Sequence, residues 1–173
     1  MTHHYDTFNT PLGPFSIAVN VAGTVTATAF GDDRSLLGRL GECHVIRDIP
    51  KVRLAREQVL AYLAGRRMDF DLPLAAAGTV FQQSVWVALR RIPRGQTRSY
   101  GALAAELGRP GAARAVGRAN ATNPICLIVP CHRVIGADGS LTGFAFGERI
   151  KRRLLELEGA LLHPAGKIGP RAI

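Results

Sequence analysis

The sequence predicts an α/β N-terminal domain followed by a mostly α C-terminal domain carrying a helix-turn-helix. Three observations predict it. Residues 1 to 80 hold eight basic and eight acidic side chains, whereas residues 81 to 173 hold fourteen basic and five acidic ones, the whole of the formal charge of +9. Two-residue alternation of apolar side chains belongs to the first half, and helical spacing dominates the second. In Leu72-Pro73-Leu74-Ala75-Ala76-Ala77-Gly78-Thr79 periodicity lapses just where the charge balance changes. The expected division is 1–78 for the first domain, 79–165 for the second and 166–173 for a tail.

In the first half, Phe15 to Val21 and Thr24 to Phe30 alternate as two strands, with Gly23 in the short connection, so a hairpin is expected. Arg34 to Leu40 reads as a short helix. Val52 to Leu63 reads as a longer one, with Leu54, Val59, Leu60 and Leu63 toward a core and Gly65 ending it. Met68, Phe70 and Leu72 alternate with Asp69 and Asp71, which predicts an edge strand.

In the second half, Phe81, Val85, Trp86 and Leu89 recur at helical spacing, with Trp86 as core. Ser99 can cap a helix running to about Leu107, with Tyr100, Leu103, Ala104 and Leu107 on one face. Gly108-Arg109-Pro110-Gly111 breaks it, and a second helix follows over residues 112 to 120. Two short helices joined by a tight turn, in the basic half, suggest the helix-turn-helix. Asp138-Gly139 marks a turn, and Thr142 to Gly147 an aromatic-bearing loop before a last helix from Glu148. At about 100° per residue, Ile150, Leu154, Leu157 and Leu161 share a face there. Glu158 falls roughly 40° from Leu154, inside that face, where a carboxylate needs a partner.

The 47 % hydrophobic content supports a buried core, and no stretch is long and apolar enough to cross a membrane. The start, Met1-Thr2-His3-His4-Tyr5-Asp6, is too polar for a secretory signal, so a cytoplasmic protein is expected. Cys43, Cys126 and Cys131 are an odd, irregularly spaced set, which argues against a disulfide framework and against a zinc knuckle. His3 and His4 are read as unstructured. No metal and no cofactor is expected.

A field carried by one half, mostly arginine, favours a polyanion. The second helix of the pair is mostly Ala and Gly with Arg114 and Arg118, which lets it approach a sugar-phosphate wall but offers few side chains to read base edges. The expected partner is double-stranded DNA bound with little sequence preference, with Arg114 able to enter the stack or groove.

The chemistry-bearing stretch is Asn123 to Val134, where an apolar, β-branched run delivers Cys131 between Pro130 and His132. A thiol is a good nucleophile only as thiolate, which a neighbouring His and Arg favour. Cys131 as nucleophile, His132 as base and Glu158 to set the imidazole tautomer match the roles of a thiol triad. Adjacent residues of a regular strand point apart, so Cys131 and His132 can cooperate only across a turned backbone or a bridging water. Two classes remain open on these residues: a cysteine hydrolase, and a protein that attacks an alkyl group on DNA.

At Pro130-Cys131-His132-Arg133-Val134 the chain closely resembles the O6-alkylguanine-DNA alkyltransferases, or methylated-DNA-protein-cysteine methyltransferases. The stretch from Gly95 to Tyr100, then Arg109 to Gly117, Asn123-Pro124, Arg133 through Gly143 and Leu154 to Gly159 follow the family's order and spacing. The resemblance runs from about Phe81 to Leu162. It implies an N-terminal domain resembling ribonuclease H and direct-reversal repair. In that reaction Cys131 takes the alkyl group from O6 of guanine, possibly also O4 of thymine, by in-line displacement, once per molecule. It implies His132 acting through a water, Glu158 on the histidine and Asn123 bracing the turn. Tyr100 would promote flipping and donate to N3 of guanine, and Arg114 would fill the vacated stack. Ala112, Ala113, Arg118 and Arg133 join the DNA-facing set, and Val134, Phe144, Ala145, Phe146 and Lys151 the substrate pocket. Carbonyls of Cys131 and Val134 would receive the guanine amino group. A monomer acting on alkylated double-stranded DNA is expected. Phe144 departs from the family's usual Tyr, removing a hydroxyl, and Phe146 is expected to narrow the pocket in favour of methyl over benzyl groups.

Overall fold

The computed structural model describes residues 1–161, in two compact units. The first comprises Met1–Ala77 together with Pro124–Ile128; the second comprises Gly78–Asn123 and the chain from Val129 onward. The short run Pro124–Ile128, read from sequence with the second domain, belongs to the first unit although its flanks do not.

The first unit is built on a four-stranded sheet of order β3-β2-β1-β4, with β1 (Thr2–Thr10), β2 (Gly13–Asn20), β3 (Val25–Phe30) and β4 (His44–Arg47). β1 pairs antiparallel with β2, and β2 with β3, while β4 lies parallel to β1. The expected hairpin is β2–β3. Its turn is organised by Asn20, whose Oδ1 accepts from the amides of Ala22 and Thr24 (3.0 and 3.1 Å), with Gly23 at φ +81°. Helix α1 (Asp33–Leu40), capped by Asp32, packs on β2 and β3. Helix α2 (Ile49–Leu63), capped by Asp48, packs on β1 and β2.

Four expectations are corrected here. His3 and His4 are not unstructured: they lie in β1, His3 Nδ1 bonded to Thr26 Oγ1 (2.9 Å) and His4 Nδ1 to Asp48 Oδ2 (3.0 Å). The polar composition of Thr2–Thr10 hid a strand whose partners satisfy its side chains. On α2 the buried face is Val52, Ala55, Val59, Tyr62 and Leu63, so Leu54 is solvent-facing and Leu60 only half-buried. Residues 68–72 form no strand. Gln58 holds the backbone of Asp71 through both its amide atoms (2.9 Å each) and Phe70 stacks on Tyr62 at 4.6 Å, so this segment pairs with helix side chains instead of a sheet edge. Only Leu74 bridges Val25.

The second unit contains α3 (Val80–Arg90), α4 (Tyr100–Glu106), α5 (Ala113–Ala121) and α6 (Glu148–Leu157), with a two-residue parallel pair of β5 (Arg98–Ser99) and β6 (Val134–Ile135). A reciprocal capping box between Thr79 and Gln82 starts α3. Trp86 is core as expected, its indole N–H donating to the Ala119 carbonyl of α5 (2.8 Å). Ser99 caps α4 by accepting from the Ala102 amide (3.0 Å). α4 and α5 pack on each other across the turn at residues 107–112. The buried arc of α6 is Lys151, Leu154 and Leu155, one residue round from the arc that spacing predicted, and Ile150 and Leu157 are only half-buried. The fourth correction has a simple cause: a lysine occupies a core-facing position. The expected tail, residues 166–173, and the last residues of the expected second domain lie outside the described residues.

Candidate active site

Pro130, at φ −82° and ψ 65°, turns the chain so that the Cys131 amide bonds back to the Val129 carbonyl (2.8 Å). That i to i−2 turn leads into a single 3-10 turn, Cys131–Arg133. Cys131 is therefore delivered from turned backbone, one of the two routes the sequence left open, and is only 4 % exposed. Three donors brace it. Asn123 Nδ2 donates to the Val129 carbonyl (2.9 Å), Asn120 Nδ2 to the Cys131 carbonyl (3.2 Å), and the Val134 amide closes the 3-10 turn onto that same Cys131 carbonyl.

His132 is fully buried, and its Nε2 sits 2.7 Å from Glu158 Oε1. Glu158 caps α6, and Arg133 closes on the same carboxylate through Nε (2.9 Å) and Nη2 (3.1 Å), while its Nη1 donates to the Ile92 carbonyl (2.7 Å). Burial would raise the pKa of Glu158, but the charge and hydrogen bond of His132 and then those of Arg133 outweigh it and hold the carboxyl well below the usual carboxylate range. An ionised Glu158 accepts from Nε2, so in the neutral imidazole it is Nε2 that keeps the proton and Nδ1 that presents the lone pair. Among the described residues that Nδ1 is buried and has no protein partner.

Lys151, fully buried on α6, donates to the carbonyls of Val134 and Thr142. Burial lowers its pKa to about 8, opposed by the negative charges of Cys131 and Glu148. Tyr100, the first residue of α4, donates its hydroxyl to the same Thr142 carbonyl (3.0 Å), and the Lys151 ammonium lies 6.0 Å from its ring centroid. Burial, then the charge of Cys131, raise the pKa of Tyr100, so the phenol stays protonated. Gly143, at φ +83°, passes so near the phenol that a Cβ there would lie 2.5 Å from the hydroxyl oxygen.

Arg114 and Arg118 are exposed on α5, with Ala112 at its N-cap and Ala113 opening it. Phe144 and Phe146 meet edge to face at 5.6 Å, both half-buried, and Ala145 between them is exposed. Val134 is buried in β6.

One site residue is corrected: Arg133 is not presented to DNA. Its guanidinium is spent on Glu158 and the Ile92 carbonyl, and only 11 % of its side chain is exposed. The Cys131 carbonyl, expected to await a base amino group, already takes two protein donors, as noted above. Asn120 was missed altogether. Its one sequence signal is an Asn within an Ala/Gly helix, a residue that competes with helical backbone unless its amide has work elsewhere.

Comparisons with known proteins agree over nearly the whole described chain. The family model for the 6-O-methylguanine DNA methyltransferase DNA binding domain matches residues 80–160. The one for the ribonuclease-like domain of 6-O-methylguanine DNA methyltransferase matches residues 3–76. A methylated-DNA--protein-cysteine methyltransferase of Mycobacterium bovis is 48% identical over 155 residues, 90% of this chain and 92% of the relative. One from Methanosarcina acetivorans is 45% identical over 157 residues, 91% and 99% of the two chains. A crystal structure of Mycobacterium tuberculosis OGT in complex with DNA superposes with TM-score 0.81 at 47% identity, covering 90% of this chain and 92% of that one. The O6-methylguanine-DNA methyltransferase of Pyrococcus kodakaraensis gives TM-score 0.64 at 27% identity, covering 91% and 99%.

Proposed function

The chain belongs to the 6-O-methylguanine DNA methyltransferase family, and we propose that Cys131 is the thiol that accepts the alkyl group. The activity is direct-reversal DNA repair, transfer of an alkyl group from DNA to a protein cysteine. What supports the choice of Cys131 among three cysteines is one arrangement: a thiol at the head of a tight turn whose next residue is an imidazole oriented by a buried, ionised carboxylate.

The thiol loses its proton to Nδ1 of His132, directly or through a water, because Glu158 holds the other nitrogen protonated. The buried Lys151 ammonium acts electrostatically on the resulting thiolate. Sulfur attacks the alkyl carbon as the carbon–O6 bond breaks, and the bonding pair leaves with the guanine. Guanine is a poor leaving group as an anion, so a proton given at N3 by the Tyr100 phenol lowers the barrier. By way of His132 and solvent the thiol's proton ends on the base, leaving a neutral thioether and a neutral guanine. A thioether is not readily hydrolysed, so each molecule acts once.

DNA is engaged by α4 and α5 as a helix-turn-helix, with the small residues Ala112 and Ala113 against the backbone and Arg118 on phosphate. Arg114 fills the gap left when the alkylated nucleotide turns out, a step that costs a few kcal/mol and least for a weakened pair. Such contacts carry little sequence preference. Val134, Phe144, Ala145 and Phe146 line the receiving pocket, and the two phenyl rings favour methyl over benzyl. The working form is a monomer on alkylated double-stranded DNA.

The test is intact-protein mass after mixing with a duplex carrying one O6-methylguanine, beside Cys131→Ser. A gain of about 14 Da on the wild type alone, complete at equimolar DNA, is expected from nucleophilic capture of a methyl group. Tight binding without a mass gain would leave a lesion-binding protein with an inert thiol.

A further inference from the structure

We propose that Thr28, in the first unit, is a positioning residue for the Cys131 thiol, acting through the backbone of Pro124–Ile128. Thr28 is fully buried in the middle of β3, and its edge is not left open. Its amide donates to the Pro124 carbonyl (2.8 Å), it forms a parallel bridge to Ile125, and its hydroxyl donates to the Cys126 carbonyl (2.7 Å). The chain then enters a tight turn closed by the Ile128 amide on that same Cys126 carbonyl (2.9 Å), with Leu127 at its centre.

Leu127 has φ +72°, the one positive value outside glycine among the described residues. A positive-φ turn of this kind is rare and strained for a side-chain-bearing residue, and it persists only where its surroundings over-determine it. The Thr28 clamp supplies that determination on the upstream side. Downstream, Asn123 holds the Val129 carbonyl and the turn at Pro130 delivers Cys131. Between the carbonyl held by Thr28 and the thiol lie only residues 127 to 130, both ends of which are tight turns. There is little slack, so freeing the Cys126 carbonyl lets the Leu127 turn relax and moves the sulfur from its line of attack. Misplacement by about 1 Å can cost about a hundredfold in such a displacement.

The inference rests on Cys131 being the accepting thiol, which the mass gain of the wild-type protein tests separately. The experiment compares full-length wild type, Thr28→Val, Thr28→Ser and Cys126→Ala. It reads the single-turnover methyl-transfer rate at saturating O6-methylguanine duplex, affinity for the same duplex, and thermal midpoint. Thr28→Val keeps shape and removes the donor, and is expected to slow transfer about ten- to a hundredfold with duplex affinity unchanged. Thr28→Ser restores the donor and the rate. Cys126→Ala transfers at the wild-type rate, because the Thr28 hydroxyl's short bond is to the backbone carbonyl (2.7 Å), which alanine keeps, and its bond to the sulfur is the longer, weaker one (3.3 Å). If Thr28→Val does not fold, Thr28→Cys, a similar shape with a weak donor, is expected between Ser and wild type on one side and no transfer on the other. Wild-type transfer by Thr28→Val, or by Thr28→Cys in its place, overturns the proposal. So does Thr28→Ser as slow as Val, or Cys126→Ala as slow as Val. A wild-type protein that gains no methyl would instead overturn the assignment of Cys131.

Discussion

Each unit holds a buried carboxylate clasped by cations, and the two are built for different ends. Asp6 of β1, with 1 % of its side chain exposed, accepts from Arg47 (3.2 Å) and Arg56 (3.2 Å), which are themselves 62 % and 37 % exposed. Glu158 is fully buried and so is its partner His132, with Arg133 barely exposed. The arginines on Asp6 can exchange their partner for water at little cost, so that pair fastens β1 to β4 and α2 and nothing more. The groups on Glu158 cannot, because each would be stranded in a low dielectric. The difference teaches that burial of the cation, not of the acid, marks the carboxylate whose orientation matters.

The sharpest way to break the comparison is Glu158→Gln. It keeps a hydrogen bond to His132 but removes the charge that fixes the tautomer, and methyl transfer is expected to fall by about a thousandfold or more in a single-turnover assay. The same variant tests linkage. Because the folded pKa of Glu158 is depressed, its contribution is present above the unfolded value near about 4.3 and is lost as pH falls below it. The wild type should therefore lose stability in acid more steeply than Glu158→Gln in denaturant titrations at several pH values.

Next comes Lys151→Met, which removes the buried ammonium while keeping its volume. A drop of about ten- to a hundredfold in transfer is expected. Here the sign of the pH effect is opposite in origin. The Lys151 pKa is lowered to about 8, so the unfolded chain binds more protons above that value and wild-type stability should rise with pH from about 8 toward about 10.4. That rise should be absent in the variant.

Asp6→Asn should leave the transfer rate of folded protein unchanged while lowering stability by about 1–3 kcal/mol, the cost of upsetting a charged, partly exposed hydrogen-bond set. A slowed transfer there would erase the distinction drawn between the two carboxylates. The smallest effect concerns the pocket: Phe146→Ala should speed labelling by a benzylguanine probe by roughly tenfold, about the worth of relieved steric crowding, with methylated duplex little affected.

Much of the site was legible because its key groups are adjacent or periodic. Cys131 and His132 stand side by side, and Glu158 falls on the inner arc of α6 by spacing alone. Arg133 was misplaced because its partner lies 25 residues away, and a basic half makes every arginine look like a DNA contact. Lys151 was found through resemblance only, since a periodicity count scores lysine as polar and so rotates the predicted face by one residue. In the fold, the β2–β3 hairpin and six helices stood out from alternation, helical spacing and caps. β1 and β4 did not, because Thr2–Thr10 is mostly polar and His44–Arg47 is only four residues long and largely exposed, and both are stabilised by neighbours that sequence spacing does not reveal. The alternating run at residues 68–72 misled for the converse reason: its backbone partner is a glutamine side chain.

The bond from Thr28 to Cys126 spans 98 positions along the chain. A ribosome must therefore finish well over half of the protein before the first unit receives its last segment. Chains synthesise at about 5–20 residues per second, so the Thr28 end of β3 waits for several seconds without its partner, although Leu74 can already bridge Val25. The late segment leads directly in sequence into Pro130 and Cys131, so the stretch that completes the earliest-made unit is also the one that precedes the nucleophile. On the Thr28 proposal, a chain whose first half has misfolded lacks the upstream clamp on the cysteine loop, and in a protein that spends itself in a single reaction this ties full reactivity to successful folding at birth.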